Sequence, residues 1–241
     1  MTHVFNDPSE LHQALLAAHA DRDISTYVAI CNHNKSAIYK HFPAWMVLPY
    51  AIKDDDRRVR AYANAIIGIA EYFARQGDPK LMDLLNGEGE NPTAKWDDAF
   101  LEFENLMKKF DFAAASELLQ DTATQMRELS GPAVEFRLPY VHERLTWLFF
   151  LSGDLESAEL YGRAALAGFR KTGNQEGILT ICRRLADIFK ASGDLERSKE
   201  WIIRFTNLLL QAGKKENAMA VRRLHGIQPL DQVISLSRND D

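Results

Sequence analysis

Apolar residues recur at intervals of three and four through most of the chain, and the every-second-residue alternation of a strand is nearly absent. Helices are therefore the predicted element almost throughout. Asp7-Pro8-Ser9-Glu10 opens the first, with Asp7 as N-cap, Pro8 at the first helical position and Glu10 in the first turn. Leu11, Leu15 and Ala18 then share one face. A second helix carries Tyr27, Ile30 and Cys31, and a third Ile38, Tyr39 and Phe42. Pro43 and Pro49 bracket Ala44-Trp45-Met46-Val47-Leu48, an apolar connection expected to pack. After Asp54-Asp55-Asp56, the residues Val59, Ala63, Ile66, Ala70 and Phe73 form a stripe at helical period, closed by Arg75 and Gly77. Asp78-Pro79 starts a short helix through Leu81, Leu84 and Leu85.

The stretch from Asn86 to Pro92 is rich in turn formers and has no apolar residue. It predicts a boundary: an N-terminal helical region over 1–87, a linker over 88–95, helical pairs with a capping helix over 96–226, and a tail over 227–241. Within the pairs, helices are expected over about 96–109, 112–129, 133–151, 155–171, 176–191, 195–211 and 216–225. In the first of these Ala99, Phe103, Leu106 and Phe110 share a face. Ser152-Gly153-Asp154-Leu155-Glu156 returns 40 positions later as Ser192-Gly193-Asp194-Leu195-Glu196, with similar helical patterns around both copies. Gly153 and Gly193 stand where the chain reverses, a place for positive φ, and Asp154 and Asp194 are placed to cap the following helix. Units repeated at this length cannot bury their apolar faces alone; they stack, and the stack makes a groove.

These residues resemble the tetratricopeptide repeat, a helix-turn-helix unit of about 34 residues in its commonest form. One unit shows Leu145, Phe149, Gly153, Asp154, Leu155, Ala158, Ala165 and Leu166 at matching spacings. The next shows Leu185, Ala186, Phe189, Gly193, Asp194 and Leu195, with Ser198 and Phe205 where Ala158 and Ala165 stood. An earlier unit has Phe110-Asp111-Phe112 at the turn and Ala115 after it. The spacing of 40 and the Lys171-Thr172-Gly173-Asn174 joint resemble the longer-helix form found in kinesin light chains and bacterial regulators; the family's proline near the end of the repeat is missing. The resemblance covers about 96–226 and implies an all-α fold, a helical-hairpin repeat stack of the α-solenoid kind with an N-terminal helical extension.

It also implies where a partner would lie, on the first helix of each pair. That face carries Tyr140, Glu143, Arg144, Trp147 and Phe150 in one unit, and Thr180, Arg183, Arg184, Asp187 and Lys190 in the next. Asp97, Phe100, Glu104 and Met107 take the equivalent places in the earlier unit. Tyr140, Arg144, Trp147, Arg183, Arg184, Asp187 and Lys190 are the candidate binding residues. Arg183 and Arg184 can fork onto a carboxylate, and Trp147 and Tyr140 can anchor an apolar side chain. A purely structural reading stands beside this one: Trp147 and Phe150 as core between units, and Arg183 paired with Asp187 one turn on.

Composition narrows the function. The 241 residues are 46% hydrophobic, and a net charge of −5 argues against nucleic acid or an anionic membrane as the main partner. No apolar run spans a bilayer and no leader pattern opens the chain. Two cysteines cannot make a disulfide framework, so a reduced, cytoplasmic setting is expected. A Gly-rich phosphate loop, a nucleophile elbow and a Cys-x-x-Cys pair are all missing. Cys31, His33 and His41, with Asp54 to Asp56, fit no zinc spacing, and no metal or cofactor is expected. The basic Lys214-Lys215 and Arg222-Arg223 flank or lie in the last helix, as a solvated face or partner contact. The expected function is non-enzymatic: a scaffold or adaptor binding a peptide or partner protein in the repeat groove. The alternative is a ligand-sensing regulator whose N-terminal region is the effector. Self-association through the Trp45-Met46-Val47-Leu48 segment is a further partner expectation.

Overall fold

The computed structural model describes residues 4–88 and 91–227. The heart of the expected linker, Gly89-Glu90, and the tail from Gln228 lie outside them. Twelve α-helices and one 3-10 turn are present among the described residues, with no strand. They form two compact units, one of residues 4–141 with 171–173, the other of 142–170 with 174–227.

Unit 1 begins with α1 (Pro8–Ala20), α2 (Ile24–His33) and α3 (Lys35–Trp45). Asp7 caps α1 as expected, accepting from Ser9 N–H at 2.7 Å. Leu11, Leu15 and Ala18 of α1 pack with Ile30 and Cys31 of α2 and with Ile38 and Phe42 of α3. Helix α3 runs through Pro43 instead of stopping before it. Only the last turn of the helix lies beyond the proline, so the lost backbone hydrogen bond is a single one near an end that would fray anyway. This carries Trp45 wholly into the core, where its indole N–H donates to the Ser130 carbonyl at 2.8 Å. Met46 and Leu48 pack against that core. Trp45 is thus interior, and the segment around it presents no exposed tryptophan for self-association.

A 3-10 turn at Tyr50–Ile52 leads into α4 (Asp56–Arg75), where Asp55 accepts from the N–H groups of Arg57 and Arg58, both at 3.0 Å. Ile66, Ala70 and Phe73 are buried as the stripe predicted, but Ala63 is exposed and Tyr62, Ala65 and Ile69 are buried in its place. The core face is turned toward Tyr62 because its hydroxyl has a buried acceptor there, the Trp45 carbonyl at 2.5 Å. Helix α5 (Lys80–Leu85) packs back on α4 through Leu81. Helices α6 (Ala94–Lys108) and α7 (Phe112–Arg127) make a hairpin, burying Trp96 and Phe103 against Ala115, Leu119, Ala123 and Met126. Phe110, expected on the apolar face of α6, is 78% exposed at the turn, where its φ of 59° swings it outward.

Helix α8 (Pro132–Ser152) supplies residues up to 141 to unit 1 and the rest to unit 2. Unit 2 continues with α9 (Leu155–Thr172, through 170), α10 (Gln175–Ala191), α11 (Leu195–Gln211) and α12 (Lys215–Leu224). The twin pentapeptides make the same turn. Ser152 and Ser192 donate to the carbonyls of Phe149 and Phe189, and Gly153 and Gly193 take φ of 82° and 81°. Asp154 and Asp194 accept from the N–H of Ser157 and Arg197, three residues on. These bonds hold both carboxyls below the usual carboxylate range. Successive helices pack on one another: Tyr161 of α9 stacks on Phe149 of α8, Phe169 of α9 lies on Gly177 of α10, and α10 packs on α11 and α11 on α12. Ser198 fits where its counterpart is Ala158 because its hydroxyl finds the Ala186 carbonyl at 2.8 Å.

Candidate functional site

In unit 2 the face expected to bind is carried by α8 and α10. Trp147 is 38% exposed on α8, and its ring stacks on that of Phe150, centroids 5.7 Å apart. From α10, Arg184 lays its guanidinium over the Trp147 ring, 4.9 Å from the centroid. The same guanidinium donates through Nη2 to Oε1 of Glu143 at 2.7 Å. Arg144 Nη1 approaches the other oxygen of Glu143 at 4.0 Å. Burial lowers the pKa of Arg184 while Glu143 opposes the shift, and the group stays charged at any ordinary pH. Arg184 Nη1 is buried with no hydrogen-bond partner among the described residues.

Arg183, Asp187 and Lys190 are exposed on α10, and none of them has an ion-pair partner among the described residues. The alternative pairing of Arg183 with Asp187 is therefore not made. The cleft between Trp147, Phe150, Arg184 and Asp187 encloses about 10 Å3, the size of a water molecule and too small for a side chain. Tyr140 belongs to unit 1, where it packs edge-on against Phe136 with centroids 5.6 Å apart. Asp97, on the equivalent face of the earlier unit, is gripped by both Arg137 nitrogens at 3.0 and 3.1 Å.

A larger opening lies in unit 1, at a place for which the sequence offered no motif. Helices α1 and α4 leave a groove of about 730 Å3, lined among others by His12, Leu16, Ala17, Ile52, Tyr62 and Ala65. The groove exists because Ala17 and Ala20 of α1 and Ala61 of α4 are small where the helices face each other across solvent. Short side chains on two otherwise polar faces were the available signal, and only the pairing of α1 with α4 gives it meaning. At the floor, His12 is 4% exposed and stacks on Trp45, centroids 4.7 Å apart. Burial lowers the His12 pKa to about 4, with Glu135 opposing, so the imidazole is neutral at pH 7.

The residues considered for a metal part company. Cys31 is buried, its thiol pushed up to about 12 mainly by desolvation. His33 Nδ1 lies 2.7 Å from the Ala29 carbonyl, and His41 Nδ1 accepts from Ser130 N–H at 3.0 Å. No group of three or more His, Cys, Asp or Glu residues able to hold a metal ion forms among the described residues. No described helix is long and apolar enough to cross a membrane.

Comparison of the chain with protein-family models, curated proteins and solved structures found no match.

Proposed function

We propose that this chain is a non-enzymatic interaction protein whose tetratricopeptide-like hairpins form a repeat stack and hold a peptide or partner protein on the α8–α10 face. The observation that supports the reading is Arg184: a guanidinium spread on a partly exposed indole, with one buried N–H group unpartnered. Arg144, Arg183, Arg184 and Lys190 face two carboxylates, Glu143 and Asp187, on a chain of net charge −5. The face is locally basic and favours an acidic segment, such as a carboxylate-bearing peptide. With so small a cleft, the partner lies across Trp147 and does not insert a side chain beneath it.

The test is quantitative affinity capture with the wild-type chain and a Trp147→Ala/Arg183→Glu variant, both checked for equal thermal unfolding midpoints. Proteins held by the wild type and lost from the variant support the reading. Identical capture by the two removes the α8–α10 face as the binding surface.

A further inference from the structure

The groove between α1 and α4 is built, not merely open. Tyr62 Oη spends its proton on the Trp45 carbonyl at 2.5 Å, so toward His12 it can only accept. The long contact from His12 Nε2 to Tyr62 Oη, 3.4 Å, therefore puts the imidazole proton on Nε2. His12 Nδ1 is left as an acceptor with no hydrogen-bond partner among the described residues, on a ring that lines the groove and is open to an occupant there.

Leu16, Ala17, Ala20, Ile52, Ala61 and Ala65 supply apolar walls, and Ser9, Gln13, His19 and Asn64 add polar groups beside His12 and Tyr62. Two charges stand among them. Glu135 is already paired, its Oε1 2.9 Å from Lys171 Nζ. Arg58 is exposed on α4 and has no ion pair among the described residues, since the neighbouring Asp55 carboxylate is spent on backbone N–H groups. Volume, apolar walls and a few convergent polar groups are the attributes of a small-molecule site. The unpaired charge is the cation, so the complementary ligand is an anion.

We propose that this groove binds a small amphipathic carboxylate, its apolar body on Leu16, Ile52 and Ala65 and its head group on the Arg58 guanidinium. A hydroxyl or N–H on the body satisfies His12 Nδ1. The site is independent of the α8–α10 face and stands or falls separately from it. It gives the chain a ligand-responsive element in its N-terminal unit.

Octanoate, octan-1-ol and octylamine share one apolar body and differ only in head group, which makes them suitable probes of the full-length chain by isothermal titration calorimetry. Octanoate is expected to bind saturably at one site, octan-1-ol about tenfold more weakly for want of the charged contact, and octylamine weakest. Ala61→Trp, which fills the groove from an exposed position, is expected to abolish octanoate binding. Arg58→Gln is expected to leave octanoate no better than octan-1-ol. In 15N-histidine-labelled protein, octanoate should move the ring signals of His12 and His19, both of which line the groove. Both variants are surface changes whose fold is verified by circular dichroism. Absence of saturable octanoate binding, or binding indifferent to Ala61→Trp, overturns the site. Octylamine binding as tightly as octanoate overturns the assignment of Arg58 and of the carboxylate.

Discussion

The ring of Phe169 lies flat on Gly177: a Cβ built on that glycine would sit 2.5 Å from two ring carbons. Phe169 is fully buried on α9 and Gly177 opens α10, so the absence of one methyl group sets how closely the two helices approach. Asn174 fastens the same point by accepting from Gly177 N–H at 3.0 Å.

Alanine at Gly177 illustrates two effects of opposite sign. It is the better helix former by roughly 1 kcal/mol, but the buried ring must move, at a cost of about 1–3 kcal/mol or more for overpacking. Sterics win at 2.5 Å. Gly177→Ala is expected to lower stability by about 2 kcal/mol in urea denaturation. Gly193→Ala meets nothing within 4 Å and pays only for its φ of 81°, about 1 kcal/mol. Equal losses from the two substitutions would contradict this account.

Phe110 occupies the place that Gly153 and Gly193 hold in the later turns, with φ of 59° against 82° and 81°. A β-carbon there is strained, and the largely exposed ring gains little beyond an edge contact with Phe112 at 6.3 Å. Phe110→Gly is therefore expected to stabilise the chain by about 0.5–1 kcal/mol, read as a higher urea midpoint at unchanged slope. A loss of stability would mean that the exposed ring packs more usefully than its contacts indicate.

Arg222 on α12 is 1% exposed, donates to Thr206 Oγ1 at 3.0 Å and Asn207 Oδ1 at 2.7 Å, and keeps Nη1 unpartnered. No carboxylate pairs with it among the described residues. A buried cation without a counter-charge is costly, whereas an unbranched apolar chain of similar length fills the same space. Arg222→Met is expected to raise stability by about 1–3 kcal/mol. A thermal melt showing a lower midpoint would count against it.

The buried His12 makes stability depend on pH in a defined direction. Its pKa falls from 6.5 to about 4 on burial, so between those values the unfolded chain binds a proton that the folded chain refuses. The contribution is fully present above about 6.5 and is lost as pH falls toward 4, on the order of 3 kcal/mol in all. His41, also lowered by burial and by Lys40, acts in the same sense. The carboxylates held low, Asp78, Asp154 and Asp194, act below this window. Denaturation curves between pH 7 and 4.5 should show falling stability in the wild type and a shallower fall in His12→Phe, which keeps a ring on Trp45.

Helices, turns and caps were readable in the linear order of residues because each rests on contacts within about four positions. Asp7 capping α1, Asp55 capping α4 and the twin Gly-Asp turns are settled by a hydrogen bond to a near neighbour or by one residue's φ. Faces were readable only in part. Ile66 and Phe73 were correctly placed in the core, while Ala63 and Phe110 point outward, because the rotation of a helix by a few tens of degrees depends on what it packs against. Pairings across helices could not be read at all. Arg184 meets Glu143 over Trp147, Trp45 reaches the Ser130 carbonyl, and α1 meets α4 around His12 only when distant segments share a register. A side chain's local pattern states what it can bind; the packing of other helices selects which of those partners it meets.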